Sequence, residues 1–271
     1  MEISTPIGLV LGFAALLVAF IMEGGSPAGL ISPSALLMII GGTTAATLTS
    51  FPLKAVLQLP KLVILAIKPT TLRAEEAIAT FVQLADKARR EGLLSLEEEA
   101  RKIGDAFLQR GIMLVVDGVD PAVVRDIMES ENANMAERHK VGYELLKQMG
   151  GFSPTMGIIG TVLGLVSVLS ALESNPEGLG EKIAVAFIAT LYGVSFANLV
   201  FLPLSNKLKG FSEHELQVRQ MMIEGVLSVQ AGENPRIVRE KLETFLPPKA
   251  RTAESAAPEG AKAGAAARAQ A

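Results

Sequence analysis

The chain has 271 residues, 49% of them hydrophobic and 20% charged, with a formal net charge of -3 and a mean hydropathy of +0.39. This balance points to a membrane protein rather than a soluble domain, and the lack of a basic excess argues against a nucleic-acid partner. Cysteine and tryptophan are absent, which removes disulfides, thiolate metal sites and cysteine nucleophiles together.

Four segments are apolar for long enough to cross a hydrocarbon core, which takes about 20 helical residues. They are predicted at Ile3–Met22, Ser34–Ser50, Gly151–Leu172 and Ile183–Leu204. The first is expected to be a retained helix rather than a signal peptide, because Glu2 stands where a basic n-region belongs and no small-x-small site follows Met22. The second is the shortest and is interrupted by Gly41, Gly42 and a run of threonines, residues that membrane helices tolerate.

Between the second and third spans, residues 51–150 carry Lys54, Lys61, Lys68, Arg73, Lys87, Arg89 and Arg90, whereas residues 23–33 carry no Lys or Arg. The basic loop and the tail after Ser205 are therefore expected inside, with both short turns outside and both termini cytoplasmic. Within the loop, Ile78, Phe81, Val82, Ala85 and Ala88 recur at three- and four-residue steps, the stripe of an amphipathic helix. Gly92 suits its stop, and Ser95 with Glu98 reads as a capping box opening a new helix, so a helical corner is predicted near Gly92. A further helix starts at Asp120-Pro121 and runs towards the third span. Helices are also expected over Ser205–Val229 and Pro235–Phe245. Residues 247–271 are Ala, Pro, Gly and charge without an apolar period, the composition of a disordered tail. The resulting division is 1–50 (spans one and two), 51–150 (helical loop), 151–204 (spans three and four), 205–246 (C-terminal helices) and 247–271 (tail). The fold class is all-α.

The third span repeats Ser153, Gly157, Gly160, Thr161 and Gly164, and the fourth repeats Ala186, Ala189, Thr190, Gly193 and Ala197. Such stripes ordinarily let helices approach closely; Thr161 and Thr190 are equally suited to line an ion path, and the two readings are compatible. Neither span holds Asp, Glu, Lys, Arg or His, although ion pathways are normally marked by an ionisable group. Any titrating carboxylate must then come from another chain. The two histidines, His139 and His214, lie in charged stretches outside the apolar runs, so no imidazole site and no metal site is expected in the membrane. Pro154 fits a first-turn position at the start of the third span and Pro203 the end of the fourth, where each could also serve as a hinge. Arg89 and Arg90 close one helix while Glu97 opens the next, charges that complement the helix dipoles.

The runs GGFSPTMGIIGTVLGLV, IAVAFIATLYGVSFANLVFLPLSNKL and ADKARREGLLSLEEE resemble the MotA/PomA family of flagellar stator subunits over nearly the whole chain up to about Phe245. The resemblance implies several copies, five in the family's usual assembly, around two copies of a MotB-like partner. That partner supplies the missing aspartate on a single span and holds peptidoglycan, and the cytoplasmic loops push the FliG-like rotor switch protein. Pro154 and Pro203 match the family's coupling prolines, Thr161 and Thr190 its channel threonines with Tyr192 beside them, and Arg89, Arg90 and Glu97 its rotor-binding charges. Sodium-driven relatives carry a second threonine directly before the one in their TLYG string. Here that position is Ala189, so the proton is the expected coupling ion and sodium the less expected one; no cofactor is implied. The expected location is the bacterial inner membrane.

Two readings compete. TolQ/ExbB-like energy transducers share the glycine- and threonine-rich helices but normally have three spans, and a non-conducting membrane scaffold would need no ion path. An enzyme is not expected, since Ser and Thr are the only nucleophile types in the spans and no general base accompanies them.

Overall fold

The computed structural model describes residues 3–69, 72–172 and 178–248, and all regular structure among them is helical. Four helices are long and apolar enough to cross a membrane, over Ser4–Met22, Pro27–Ser50, Pro121–Ser170 and Leu179–Gln230. The chain divides into two compact units, residues 1–70 with 136–213, and residues 71–135 with 214–271. The sequence-based division at 50, 150 and 204 drew its lines by hydropathy. Contacts draw them elsewhere, because the ends of the spanning helices keep packing beyond the apolar stretch.

In the first unit, α1 (Ser4–Met22) is apolar all round and buries none of its residues, as expected of a helix whose surroundings are themselves apolar. It stops before Gly24, whose φ of 83° is open to glycine. Helix α2 (residues 33–50) starts one residue earlier than the hydropathy suggested. Ser32 Oγ accepts from the Ala35 amide at 3.4 Å, and Pro33 occupies the first turn, a pairing that satisfies an otherwise orphaned N–H. A wider π turn at Leu37–Gly41 precedes Gly42, where a Cβ would stand 2.8 Å from Met156 Sδ. After a short turn, α3 (Leu59–Ile67) follows. Val56 and Ala66 pack with Leu145, Leu146, Leu204 and Leu208 into a core at this end of the unit.

The second unit holds α4 (Ala74–Glu91), α5 (Ala106–Val116) and α8 (Pro235–Glu243). The predicted stripe of α4 buries Ile78, Phe81, Ala85 and Ala88. Phe81 is fully enclosed, burial worth about 1.5–3 kcal/mol, and its ring fills the space left by Gly225, where a Cβ would lie 2.7 Å away. Gly92 does stop α4, with φ 86°. The capping box, however, does not form. Ser95 Oγ donates backwards to Gly92 O at 2.7 Å, Leu93–Leu96 is a 3-10 turn, and Glu97–Ala100 is a single helical turn without a side-chain cap. The cap that opens a true helix is Asp105, accepting from the Leu108 amide at 2.8 Å. Helix α8 begins behind Asn234, which accepts from the Arg236 amide. Most of the expected disordered tail, 249–271, lies outside the described residues, as does part of the expected outer turn, 173–177.

The two remaining helices correct the sequence reading most. Helix α6 (Pro121–Leu172) is one element of 52 residues with Pro154 inside it, so Pro154 is not in a first turn. Its missing N–H and ring leave the Gly150 carbonyl without the usual helical partner. Helix α7 (Leu179–Gln230) is likewise uninterrupted except for a π turn at Phe196–Phe201. Pro203 stands two residues past that turn, inside the helix rather than at its end. The wider turn is the geometry by which a helix absorbs a residue that cannot donate.

Candidate functional site

Helices α6 and α7 meet along a seam of small residues in the first unit. A Cβ on Gly193 would stand 2.6 Å from Ser153 O and 3.2 Å from Gly157 Cα. On Gly157 it would stand 3.0 Å from both Ala189 O and Thr190 Cα, and on Gly164 2.5 Å from Ala186 Cβ. Gly160 faces the Ala189 methyl, which leaves Ala189 only 3% exposed. Most of these neighbours are backbone, so the glycines set how closely the helices approach. Ser153, fully buried, donates its hydroxyl to Gly193 O across the seam at 2.9 Å.

The close approach brings Thr161 and Thr190 into direct hydroxyl-to-hydroxyl contact. Thr161 Oγ1 also lies 3.1 Å from Gly157 O and 2.9 Å from Ala186 O, and Thr190 Oγ1 lies 3.3 Å from Gly157 O. Two hydroxyl protons are thus shared among two carbonyls and each other, which satisfies both donors and leaves acceptor lone pairs on the hydroxyl oxygens. Both side chains are half-buried, and the neighbouring face of α6 exposes Ile158, Val162 and Val166. Chemically the site is a polar notch in an apolar surface, able to accept a hydrogen bond or pass a proton but unable to titrate near neutrality.

Tyr192 does not join this pair. Its hydroxyl donates to Leu30 O and accepts from the Ser32 amide at 3.5 Å, tying the segment before α2 to α7. Its ring stands edge-on to Phe196 at 6.3 Å. No sequence pattern marks Ser32 for this role; the Ser-Pro pair at 32–33 is its one signal.

In the second unit, Arg89 and Arg90 are exposed in the last turn of α4, and Glu97 is exposed just past the corner. Each of the latter two has an intramolecular mate: Arg90 with Asp86 at 2.5 Å and Glu97 with Arg101 at 2.8 Å. Such exposed pairs contribute about 0–1 kcal/mol and exchange readily. Leu94, 76% exposed at the tip, stands among these charges while Leu96 is fully buried. Sequence alone could not separate the leucines of GLLSL, because only the 3-10 turn decides which one points inward.

Beneath the corner, Lys87 Nζ meets Glu99 Oε1 at 3.0 Å and Lys102 joins at 3.2 Å. The hydrogen bond from Lys87, reinforced by Lys102, holds the Glu99 carboxyl below its ordinary range, and the same bond raises Lys87. A carboxylate lowered on folding stabilises the fold above its unfolded value and loses that contribution as pH falls through its folded value. Glu99→Gln is therefore expected to lower the melting temperature slightly at pH 7, the difference from the parent shrinking as pH falls below the ordinary carboxylate range and vanishing once Glu99 is protonated in the fold. Thermal unfolding of both proteins across pH 3–8 checks this; an equal deficit at acid pH would show that the carboxylate is not the cause.

Comparisons with known proteins agree on one assignment. Residues 6–92 match the family described as motility protein A N-terminal, and residues 99–221 match the MotA/TolQ/ExbB proton channel family. The motility protein A of Bacillus subtilis is 40% identical over 252 residues, covering 93% of each chain. This chain belongs to the motility protein A family. Two solved structures share its fold. One is the flagellar MotAB stator complex from Bacillus subtilis, with a TM-score of 0.85 and 40% identity over 91% of this chain and 97% of that one. The other is C. jejuni MotAB, with a TM-score of 0.86 and 32% identity over 92% and 97%. Membership makes the chain a multi-pass membrane protein and a stator-type ion channel subunit of the flagellar motor.

Proposed function

We propose that this chain conducts protons only together with a MotB-like single-span partner, and that the flow turns a ring of its copies against the rotor. The observation that carries the reading is the Thr161–Thr190 pair, set where two spanning helices meet without any ionisable side chain. Such a notch can relay a proton or orient a carboxylate brought by a neighbour, but cannot itself hold the charge. The relatives of known structure are MotAB complexes, which supports a partner of that kind; five copies of this chain around two of it are what the family resemblance implies. The distribution of Lys and Arg supports an inner-membrane orientation with residues 51–150 and both termini inside. The proton is favoured over sodium because the side chain at 189 is a buried methyl without an oxygen for a dehydrated cation. Proton influx is expected in cells co-expressing both chains and absent with this chain alone. Swimming speed is expected to stay constant across external sodium at fixed pH; arrest in sodium-free medium would overturn the choice of ion.

The rotor surface is proposed at the α4 corner, with Arg89, Arg90 and Glu97 as charges and Leu94 as an apolar anchor. Reversing Arg89 and Arg90 together to Glu is expected to cut soft-agar spreading severely while membrane insertion and partner binding persist. Each single reversal should be weaker, because exposed pairs are individually small. Parental swimming by the double variant at low ionic strength would move the rotor contact elsewhere.

A further inference from the structure

A cleft of about 300 Å³ opens between the first turns of α1 and the stretch of α7 around Pro203. Its floor is built from a missing side chain: a Cβ on Gly8 would meet nothing within 4 Å. Leu9 and Leu199 give it apolar walls. At one end Lys207 Nζ is held by Ser4 Oγ at 2.8 Å and Thr5 Oγ1 at 2.6 Å, and it lies 5.8 Å from the Phe211 ring centroid. The Thr5 hydroxyl in turn reaches Ala66 O at 3.2 Å, so the ammonium is fixed in place rather than left to roam. About 13 Å further along α7, counting nine residues at helical rise, stands Asn198. It is exposed, and its Nδ2 donates to Val194 O at 2.9 Å, leaving a second N–H to be satisfied. An exposed amide within an apolar span is costly unless something polar reaches it.

We propose that this cleft binds one anionic phospholipid of the inner leaflet, with its phosphate at Lys207, its ester region towards Asn198 and an acyl chain along Gly8. The choice of an acidic lipid rests on charge. Around this end of the unit, residues 51–69, 136–150 and 202–213 carry eight Lys and Arg, Lys207 among them, against Glu137, Glu144 and Glu213. Basic residues at the inner surface attract acidic headgroups by roughly a factor of five each. The inference rests on the inside-positive orientation proposed above but not on ion conduction, so it can be tested separately.

The test is native mass spectrometry of the full chain, purified in mild detergent with its co-expressed partner and titrated with phosphatidylglycerol or phosphatidylcholine. Two variants accompany the parent: Lys207→Gln, which removes the cation, and Gly8→Leu, which fills open space and leaves the protein contacts intact. The parent is expected to retain phosphatidylglycerol in preference to phosphatidylcholine, Lys207→Gln to lose about fivefold in that preference, and Gly8→Leu to lose retention of either lipid. Millimolar inorganic phosphate is expected not to displace the lipid. Displacement by phosphate would make the site a soluble-anion site and overturn the proposal. Equal retention by parent and variants would overturn it too, as would an assembled complex without bound lipid, which would mean that a neighbouring copy covers the cleft.

Discussion

Gly193→Ala is expected to abolish motility and proton influx. The new Cβ would stand 2.6 Å from Ser153 O and 3.2 Å from Gly157 Cα. Both are backbone atoms in helix interiors, so relief requires the two helices to part by several tenths of an ångström along their whole contact. Overpacking of this kind costs about 1–3 kcal/mol. Here it would also stretch the 2.9 Å Ser153–Gly193 hydrogen bond and the Thr161–Thr190 contact, in surroundings where no water replaces a lost partner. Gly151→Ala is the matched control, because its Cβ meets nothing within 4 Å, and it is expected to swim like the parent. Soft-agar spreading, proton influx and the amount of assembled complex measure the effect. Normal swimming by the Gly193 variant would mean that the seam yields, and the geometric argument for a fixed notch would be lost.

The second large effect is expected from Thr190→Val, which keeps the shape of the side chain and removes only the hydroxyl. Thr161 would lose its hydroxyl partner and Gly157 O one of its two hydroxyl donors. The helices stay packed, because the branched carbon skeleton is unchanged. Proton influx and torque are expected to fall at least tenfold, equivalent to about 1.4 kcal/mol on the barrier, with near-parental assembly. Thr190→Ser should restore most of the flux. If the valine variant conducts like the parent, the hydroxyl pair serves packing alone and the path runs elsewhere.

These effects could be anticipated in kind from the sequence and placed only by the structure. The glycine and threonine periodicities already marked one face of each span, since residues three and four apart share a helix face whatever surrounds them. The buried stripe of α4 was visible for the same reason, and the stop at Gly92 followed from glycine's freedom at positive φ, realised at 86°. The errors came where one local rule competes with another contact, near or distant. Ser95 and Glu98 have the spacing of a capping box, yet Ser95 donates to Gly92 O because the chain there is already turning in a 3-10 geometry. Tyr192 sits beside Thr190 in sequence, yet its hydroxyl leaves for Leu30 O, 162 residues away along the chain. Pro154 and Pro203 look like helix ends because proline breaks isolated helices. Packing on both sides carries α6 through the first, and a π turn at Phe196–Phe201 carries α7 past the second.

The sequence by itself determined the class of the protein: its helices, its four apolar spans, the small-residue faces and the lack of an ionisable group in the third and fourth spans. Those properties depend on side-chain polarity and helical period, which each segment carries without reference to any other. Tertiary structure alone decided which hydroxyls meet, how closely the seam closes, and that Gly8 and Lys207 frame one cleft. Each of these joins residues far apart in the chain, and a pattern read along one helix does not contain the separation between two.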